Sequence, residues 1–325
     1  MSDSPETTLP DADAIRAAHR RIAPFIWPTP VAELPLPDGR PVFLKMECWQ
    51  RTGSFKVRGA LNKVLGLPEK ALERGLVTAS AGNHGLGVAL AASLRRTRCT
   101  VFVPHGASPA KVEALRSLGA EVKERGSDYD EAEVEASRWA ARTGAVFVHA
   151  FDDPDVIAGQ GTLGVELLEQ VPEMTSLYVP IGGGGLIAGV AAFVKAQRPN
   201  VRVIGVQPEA SPAMLRALQA GRVVETPFFE TLADGLAGRF VSERTLRACQ
   251  RFVDDVVLVS EAEIRTALRY LVDRMHTIAE GSAVVGLAAL LRKPEGNGGV
   301  ATIVTGRNID TQTLRSVLQT ETQTS

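Results

Sequence analysis

Short runs of β-branched and apolar residues alternate with Ala- and Leu-rich stretches along almost the whole chain, and this alternation narrows the fold more than any other feature. The runs fall at 41–47, 75–80, 99–104, 121–125, 145–150, 176–181, 201–208, 255–260 and 299–306. Between them, 85–96, 109–119, 130–144 and 260–275 read as helices, the last opening on a capping box of Ser260 and Glu263. Strands that alternate with helices predict an α/β protein built on parallel sheets. No repeat period and no Pro/Gly-rich linker divides the chain, so a second domain is expected as an insertion within the first. The polar residues after about 313 are expected to fray.

Charge and composition exclude several classes of function. The 325 residues carry 36 Lys and Arg against 37 Asp and Glu, a net charge of −1, which offers no surface for a polyanion. Aromatics at 5% are too few for a base-stacking platform. Cys48, Cys99 and Cys249 are isolated and odd in number, which fits neither a disulfide framework nor a metal site. With an acidic, polar start instead of a signal peptide, a reducing cytoplasm is the expected setting. The longest apolar stretch, 177–194, is broken by Pro180 and a glycine run, so it reads as strand, loop and helix rather than as a membrane span.

That stretch carries the strongest chemical signal. Gly182, Gly183, Gly184 and Gly185 lie between a strand and a helix expected to begin near Leu186. Glycine N–H groups can approach a ligand closely, and a helix start adds partial positive charge, so a phosphate group is the expected guest. A tight turn alone needs fewer glycines. No Gly-Lys-Ser/Thr follows, which excludes a nucleoside-triphosphate loop. Gly183-x-Gly185-x-x-Ala188 does satisfy a dinucleotide fingerprint, so an NAD-dependent dehydrogenase stays open; that reading needs an acid where Gln207 stands, with Glu209 just beyond.

Two further segments bear on chemistry. Lys56 follows Arg51-Thr52-Gly53-Ser54-Phe55, where Ser54 is positioned to cap a helix. An amine near a helix start, in partly apolar company and close to Arg58, is easier to deprotonate, and Schiff-base chemistry needs a neutral amine. Ser80-Ala81-Gly82-Asn83-His84-Gly85 ends a strand and enters a helix, at the strand end where open α/β sheets bind ligands. Either a ligand-binding turn or a helix cap with a buried histidine satisfies that pattern alone.

As an ordered set these segments resemble the fold-type II pyridoxal-phosphate enzymes, in the threonine/serine dehydratase and serine racemase branch. The likeness rests on Thr52-Gly53-Ser54-Phe55-Lys56-x-Arg58-Gly59-Ala60, on Ser80 to His84 and on Gly182 to Gly185. Residues 155–162, Ala233-Asp234-Gly235 and Thr305-Gly306-Arg307-Asn308 add to it, and it spans about residues 20–310. The resemblance implies a tryptophan-synthase-β-like fold of two open sheets with helices on both faces. A small domain, 51–147, would be inserted in a large cofactor-binding one, 1–50 and 148–325. The cofactor implied is pyridoxal 5′-phosphate, held on Lys56 as a Schiff base. Phe55 would pack on its ring, Asn83 would bond its phenolic oxygen, Gly182 to Gly185 and Leu186 would hold its phosphate, and Thr305 would face its ring nitrogen. Ser80, Ala81, Gly82 and His84 would lie around the substrate carboxylate. The reaction implied is β-elimination of water from L-threonine or L-serine, giving a 2-oxo acid and ammonia, in a homodimer or homotetramer.

Departures from the family pattern sharpen these expectations. Racemase members carry serine where Ala81 stands, as a base on the opposite face of the substrate. Gln207 and Ala213 replace the acids that bind a divalent cation in other members, so no metal is expected. Glu280-Gly281-Ser282 has glycine where proline is usual, and Glu47-Cys48-Trp49-Gln50 is also unusual, as if the substrate pocket were altered. Another 3-hydroxy amino acid, such as 3-hydroxyaspartate or phenylserine, is therefore an alternative substrate, and racemisation an alternative reaction. The chain ends soon after Thr305, so control through an appended regulatory domain is not expected.

Overall fold

The computed structural model describes residues 8–227, 229–292 and 298–319. Its strands are β1 (Val31–Pro35), β2 (Pro41–Lys45), β3 (Leu76–Ala79), β4 (Cys99–Val103), β5 (Glu121–Glu124), β6 (Val146–Phe147), β7 (Met174–Pro180), β8 (Arg202–Pro208), β9 (Asp255–Val259) and β10 (Gly299–Ile303). They form a six-stranded sheet in the order β1-β2-β10-β7-β8-β9 and a four-stranded sheet in the order β5-β4-β3-β6. Every pairing of these strands is parallel except β1 with β2. Each run read as a strand is one. The antiparallel strand β1 escaped the sequence pattern, although Pro37-Asp38-Gly39 after it is a turn signal: Gly39 takes φ +83° and Leu36 N–H closes on Arg40 O at 2.8 Å.

The helices form where the alternation placed them. Asn83–Leu94, Pro109–Ser117, Tyr129–Thr143 and Glu261–Met275 are α-helical, and the Ser260/Glu263 capping box is present. The C-terminal segment departs from expectation. Thr311–Gln319 is a helix where fraying was expected from about 313, because Asp310 accepts Thr313 N–H at 2.8 Å and Val317 is buried; residues 320–325 lie outside the described residues. Among the described residues no helix is long and apolar enough to cross a membrane.

Helix Pro154–Gln170 runs through the middle of the molecule, buried on nearly every residue. It lies against helix Lys56–Gly66 on one side and helix Gly185–Gln197 on the other. The first crossing is backbone on backbone: a Cβ on Gly159 would sit 2.6 Å from both Arg58 O and Gly59 Cα. The helix that follows the lysine and the helix that follows the glycine run are thus packed on one common support.

Beneath that crossing lies a buried ionic quartet. The Arg58 guanidinium donates to Glu47 at 2.8 Å from two nitrogens and to Glu166 at 2.6 and 3.0 Å. Lys45 Nζ donates to Glu166 at 2.6 Å, to Thr29 O at 2.7 Å and to Gln170 at 2.7 Å. Lys45, Glu47 and Arg58 are wholly shielded from solvent. Two cations face two anions, so the group is neutral. Burial opposes the charge on Arg58, but the two carboxylates outweigh it and raise its pKa further. Removing one member strands its partners without solvent or counter-charge, a loss of about 3–5 kcal/mol for a buried pair. Arg58→Ala is therefore expected to lower unfolding free energy by about that amount, read from the midpoint of a urea titration of the protein.

Candidate active site

The segment that carries the lysine is fixed from its N-terminal side. Thr52 (φ 61°) and Gly53 (φ 75°) both adopt left-handed backbone, a conformation that a β-branched residue such as Thr52 rarely takes. The strand-like residues after them pair with the segment that follows β10. Ser54 bridges Gly306, Phe55 N–H donates to Thr305 O at 3.0 Å, and Arg307 N–H donates to Gly53 O at 2.9 Å. Phe55, Lys56 and Thr305 are held together by main-chain hydrogen bonds. Ser54 does not cap the lysine helix as expected. Phe55 occupies the cap position without a side-chain bond, and the Ser54 hydroxyl is buried without a hydrogen bond among the described residues.

Lys56 and the glycine run meet at one cavity. Its lining includes Phe55, Lys56, Asn83, Gly182, Gly183, Gly184, Gly185, Leu186 and Thr305, which come from four separate stretches of chain. The Lys56 amine lines the cavity yet is surrounded by protein and donates to Ala150 O at 3.0 Å. Burial lowers its pKa to about 8, and the nearby Glu280 opposes that shift. Arg58, expected to contribute, is not the cause: its charge is spent on Glu47 and Glu166.

Asn83 is oriented by a chain of side chains. Its Nδ2 donates to Glu280 at 2.7 Å, its Oδ1 accepts from Asn308 at 2.6 Å, and Asn308 also reaches Thr52 O at 2.8 Å. Ser80, Ala81 and Gly82 precede it at the carboxyl end of β3, half-buried and outside the cavity lining. Gly82 N–H donates to the Ser80 hydroxyl at 3.1 Å, and a Cβ on Gly82 would meet open space. The His84 ring is buried and engages Val148 O at 3.0 Å. Burial, with Lys56 as a second influence, lowers its pKa to about 3, so the ring is neutral. Its main-chain N–H, in the first helical turn, is left for a ligand.

Phe151 and His149 went unread in the sequence, whereas Glu280-Gly281-Ser282 stood out there as a departure from the family pattern. Phe151 lies against the glycine run so closely that a Cβ on Gly183 would come within 2.5 Å of its ring. His149 holds that turn: its Nδ1 accepts from Phe151 and Asp152 N–H at 3.2 and 2.9 Å, and its Nε2 meets Glu133 at 2.9 Å. Glu280 and Ser282 also line the cavity. The Ser282 hydroxyl is buried without a hydrogen bond among the described residues. Gln207, where a dinucleotide reading needs an acid, is consumed in its own turn, bonded to Ile181 O, Ser211 O and Leu215 N–H.

The family model for pyridoxal-phosphate dependent enzymes matches residues 22–306. The chain belongs to this family. Among curated pyridoxal-phosphate enzymes it is 45% identical over 283 residues to an L-threonine ammonia-lyase of Geobacter sulfurreducens, covering 86% of this chain and 70% of that one. Its structure resembles maize serine racemase with a TM-score of 0.90 at 35% identity, covering 96% and 97% of the two chains. It also resembles a T.th. threonine deaminase, with a TM-score of 0.87 at 38% identity and coverage of 93% and 99%. Both likenesses support the two-sheet α/β fold expected from the sequence. The cofactor of the family is pyridoxal 5′-phosphate, and the residues present fit it. A buried, easily neutralised amine faces an aldehyde's requirement, and an anion finds free N–H groups at the start of helix Gly185–Gln197. The cradle tolerates no side chain: Gly184 takes φ +94°, and a Cβ there would meet Met214 and Thr245 at 2.8 Å.

Glu280 gives the site a pH signature. Burial, assisted by Asp234, pushes its carboxyl from 4.5 up to about 7. The folded protein therefore binds this proton more tightly than the unfolded chain does. Glu280 contributes stability below about pH 4.5 and loses it as pH rises through about 7. Glu280→Gln is expected to be more stable than the parent at pH 8, by an amount on the order of 3 kcal/mol, and to show no such advantage near pH 4. Thermal or urea unfolding of the cofactor-free protein across that range reads the difference.

Proposed function

We propose that the protein eliminates water from a 3-hydroxy amino acid, L-threonine or L-serine, to give a 2-oxo acid and ammonia. The observation that carries this reading is the Lys56 amine, lowered to about 8 in a cavity it shares with the glycine cradle. When bound, pyridoxal phosphate supplies an electron sink that acidifies the substrate Cα. Lys56 would hold the cofactor's aldehyde carbon, and its amine, with its lowered pKa, is the base that would take the substrate's Cα proton. Phe55 would pack on the ring and Asn83 would bond the phenolic oxygen; Gly182, Gly183, Gly184, Gly185 and Leu186, which line the same cavity, would hold the phosphate through main-chain N–H groups. Ser80, Ala81, Gly82 and His84 grip the substrate carboxylate, His84 by its backbone because its ring is engaged elsewhere.

Thr305 and Ala81 decide the course of the reaction. A threonine hydroxyl, unlike a carboxylate, would not hold a proton on the cofactor's ring nitrogen, which would weaken the electron sink and favour expulsion of the β-hydroxyl. Ala81 offers no base on the face opposite Lys56, which supports elimination over racemisation. The wider reading is of a small domain, 51–147, inserted in a large one, 1–50 and 148–325, and of a cytoplasmic homodimer or homotetramer.

The purified protein is expected to be yellow, and borohydride is expected to lock pyridoxyl phosphate onto Lys56, as read by peptide mass; a colourless protein that takes up no cofactor overturns the reading. Lys56→Ala should lower turnover by at least the 10²–10⁴-fold typical of a lost general base, measured as 2-oxo acid release. The same assay across serine, threonine, 3-hydroxyaspartate and phenylserine ranks the substrates. Ala81→Ser is expected to raise formation of the D-enantiomer from L-serine, followed by chiral chromatography.

A further inference from the structure

Glu280 is a wall shared by two cavities. On its other side lies a space of roughly 450 Å³ that opens between helix Pro109–Ser117 and the segments around 230–236 and 308–313. The acids along it are mostly committed. Glu261 accepts from the Thr231 hydroxyl and from Leu232 N–H, and Asp310 accepts from Thr313. Asp234 accepts from Gly235 N–H at 2.8 Å and from Lys111 at 3.3 Å.

Arg265 is different. It lines the same space, is half-buried, and has no hydrogen-bond or ion-pair partner among the described residues. Glu261 stands one helical turn before it, the usual spacing for an ion pair, but both Glu261 oxygens are held by residues 231 and 232. A half-buried guanidinium with five unused donors, in a space that Lys111 also lines and next to the catalytic cavity, is built for a small carboxylate.

We propose that this space is a staging site, in which Arg265 and Lys111 hold the α-carboxylate of the amino acid about to enter or of the 2-oxo acid about to leave. The proposal rests on the elimination reading above. Either source presents the same carboxylate, and Glu280 with its Asn83 partner forms the threshold between staging and reaction.

The test uses holoenzyme reduced with borohydride, which cannot turn substrate over. Covalent incorporation, verified by mass, checks the elimination reading's cofactor chemistry separately, before any ligand is added. Calorimetric titrations then use L-2-aminobutanoate, which lacks the β-hydroxyl, and 2-oxobutanoate. Arg265→Gln is expected to weaken at least one of them by about 10-fold or more, the effect of a lost charged hydrogen bond, and Arg265→Lys to recover most of it. An effect confined to L-2-aminobutanoate identifies the incoming substrate as the occupant, and one confined to 2-oxobutanoate identifies the product. Equal binding by the parent and Arg265→Gln, or no binding of either probe to the parent, overturns the proposal. Lys111→Gln provides a second variant on a separate helix and should weaken the same probe.

Discussion

The buried contact of Arg58 with Glu47 and Glu166 is the constraint on which the site depends. A guanidinium taken out of water is tolerable only if its donors are matched, and here both carboxylates lie within 3.0 Å. Glu47 comes from the turn after β2, Arg58 from the lysine helix and Glu166 from the central helix Pro154–Gln170. One electrostatic knot therefore fixes the start of the lysine helix to the large sheet and to the helix that supports the glycine loop. Lys45 completes the neutrality. Such a knot adds little to net stability compared with an apolar core, but it permits only one arrangement of the three elements.

The cavity above it combines two groups whose environments push them toward each other. Lys56 falls to about 8 and Glu280 rises to about 7, each mainly through burial. Burial brings together an amine and a carboxyl whose ordinary values are 10.5 and 4.5, moving the first down and the second up. Asn83 donates to Glu280, so Glu280's protonation state bears on how the Asn83 amide is held in the cavity.

Much of this was legible in the sequence, for identifiable reasons. The central parallel strands declared themselves because strands buried on both faces are continuous apolar runs, whereas β1, an antiparallel edge strand with only Leu34 buried, carries no such run. The glycine run, Lys56, Asn83 and Thr305 were legible because each imposes a residue type on the chain. Phe151 and His149 were not, since their roles arise from contacts with residues distant in the chain; Glu280-Gly281-Ser282 stood out as a pocket segment, but the bond of Glu280 to Asn83 is visible only in the fold. Arg58 was read as a neighbouring charge that would depress the lysine, whereas only the fold reveals that Glu47 and Glu166 cancel it. Ser54 was read as a cap by the same local logic, and the pairing with Gly306 took precedence.

The glycine-to-glycine crossing of helices Lys56–Gly66 and Pro154–Gln170 has a bearing on tolerance to sequence change. Where helices meet through side chains, a substitution can be absorbed by rotamers. Where they meet through backbone, the spacing is set by covalent geometry and acts as a ruler. Since the other flank of Pro154–Gln170 meets the glycine-loop helix just as closely, with a Cβ on Gly161 falling 2.9 Å from Gly189 O, the ruler spans from the Lys56 helix to the glycine run. Drift in sequence on this ridge would register first as a change in the spacing between Lys56 and the glycine run, and only later as a loss of fold.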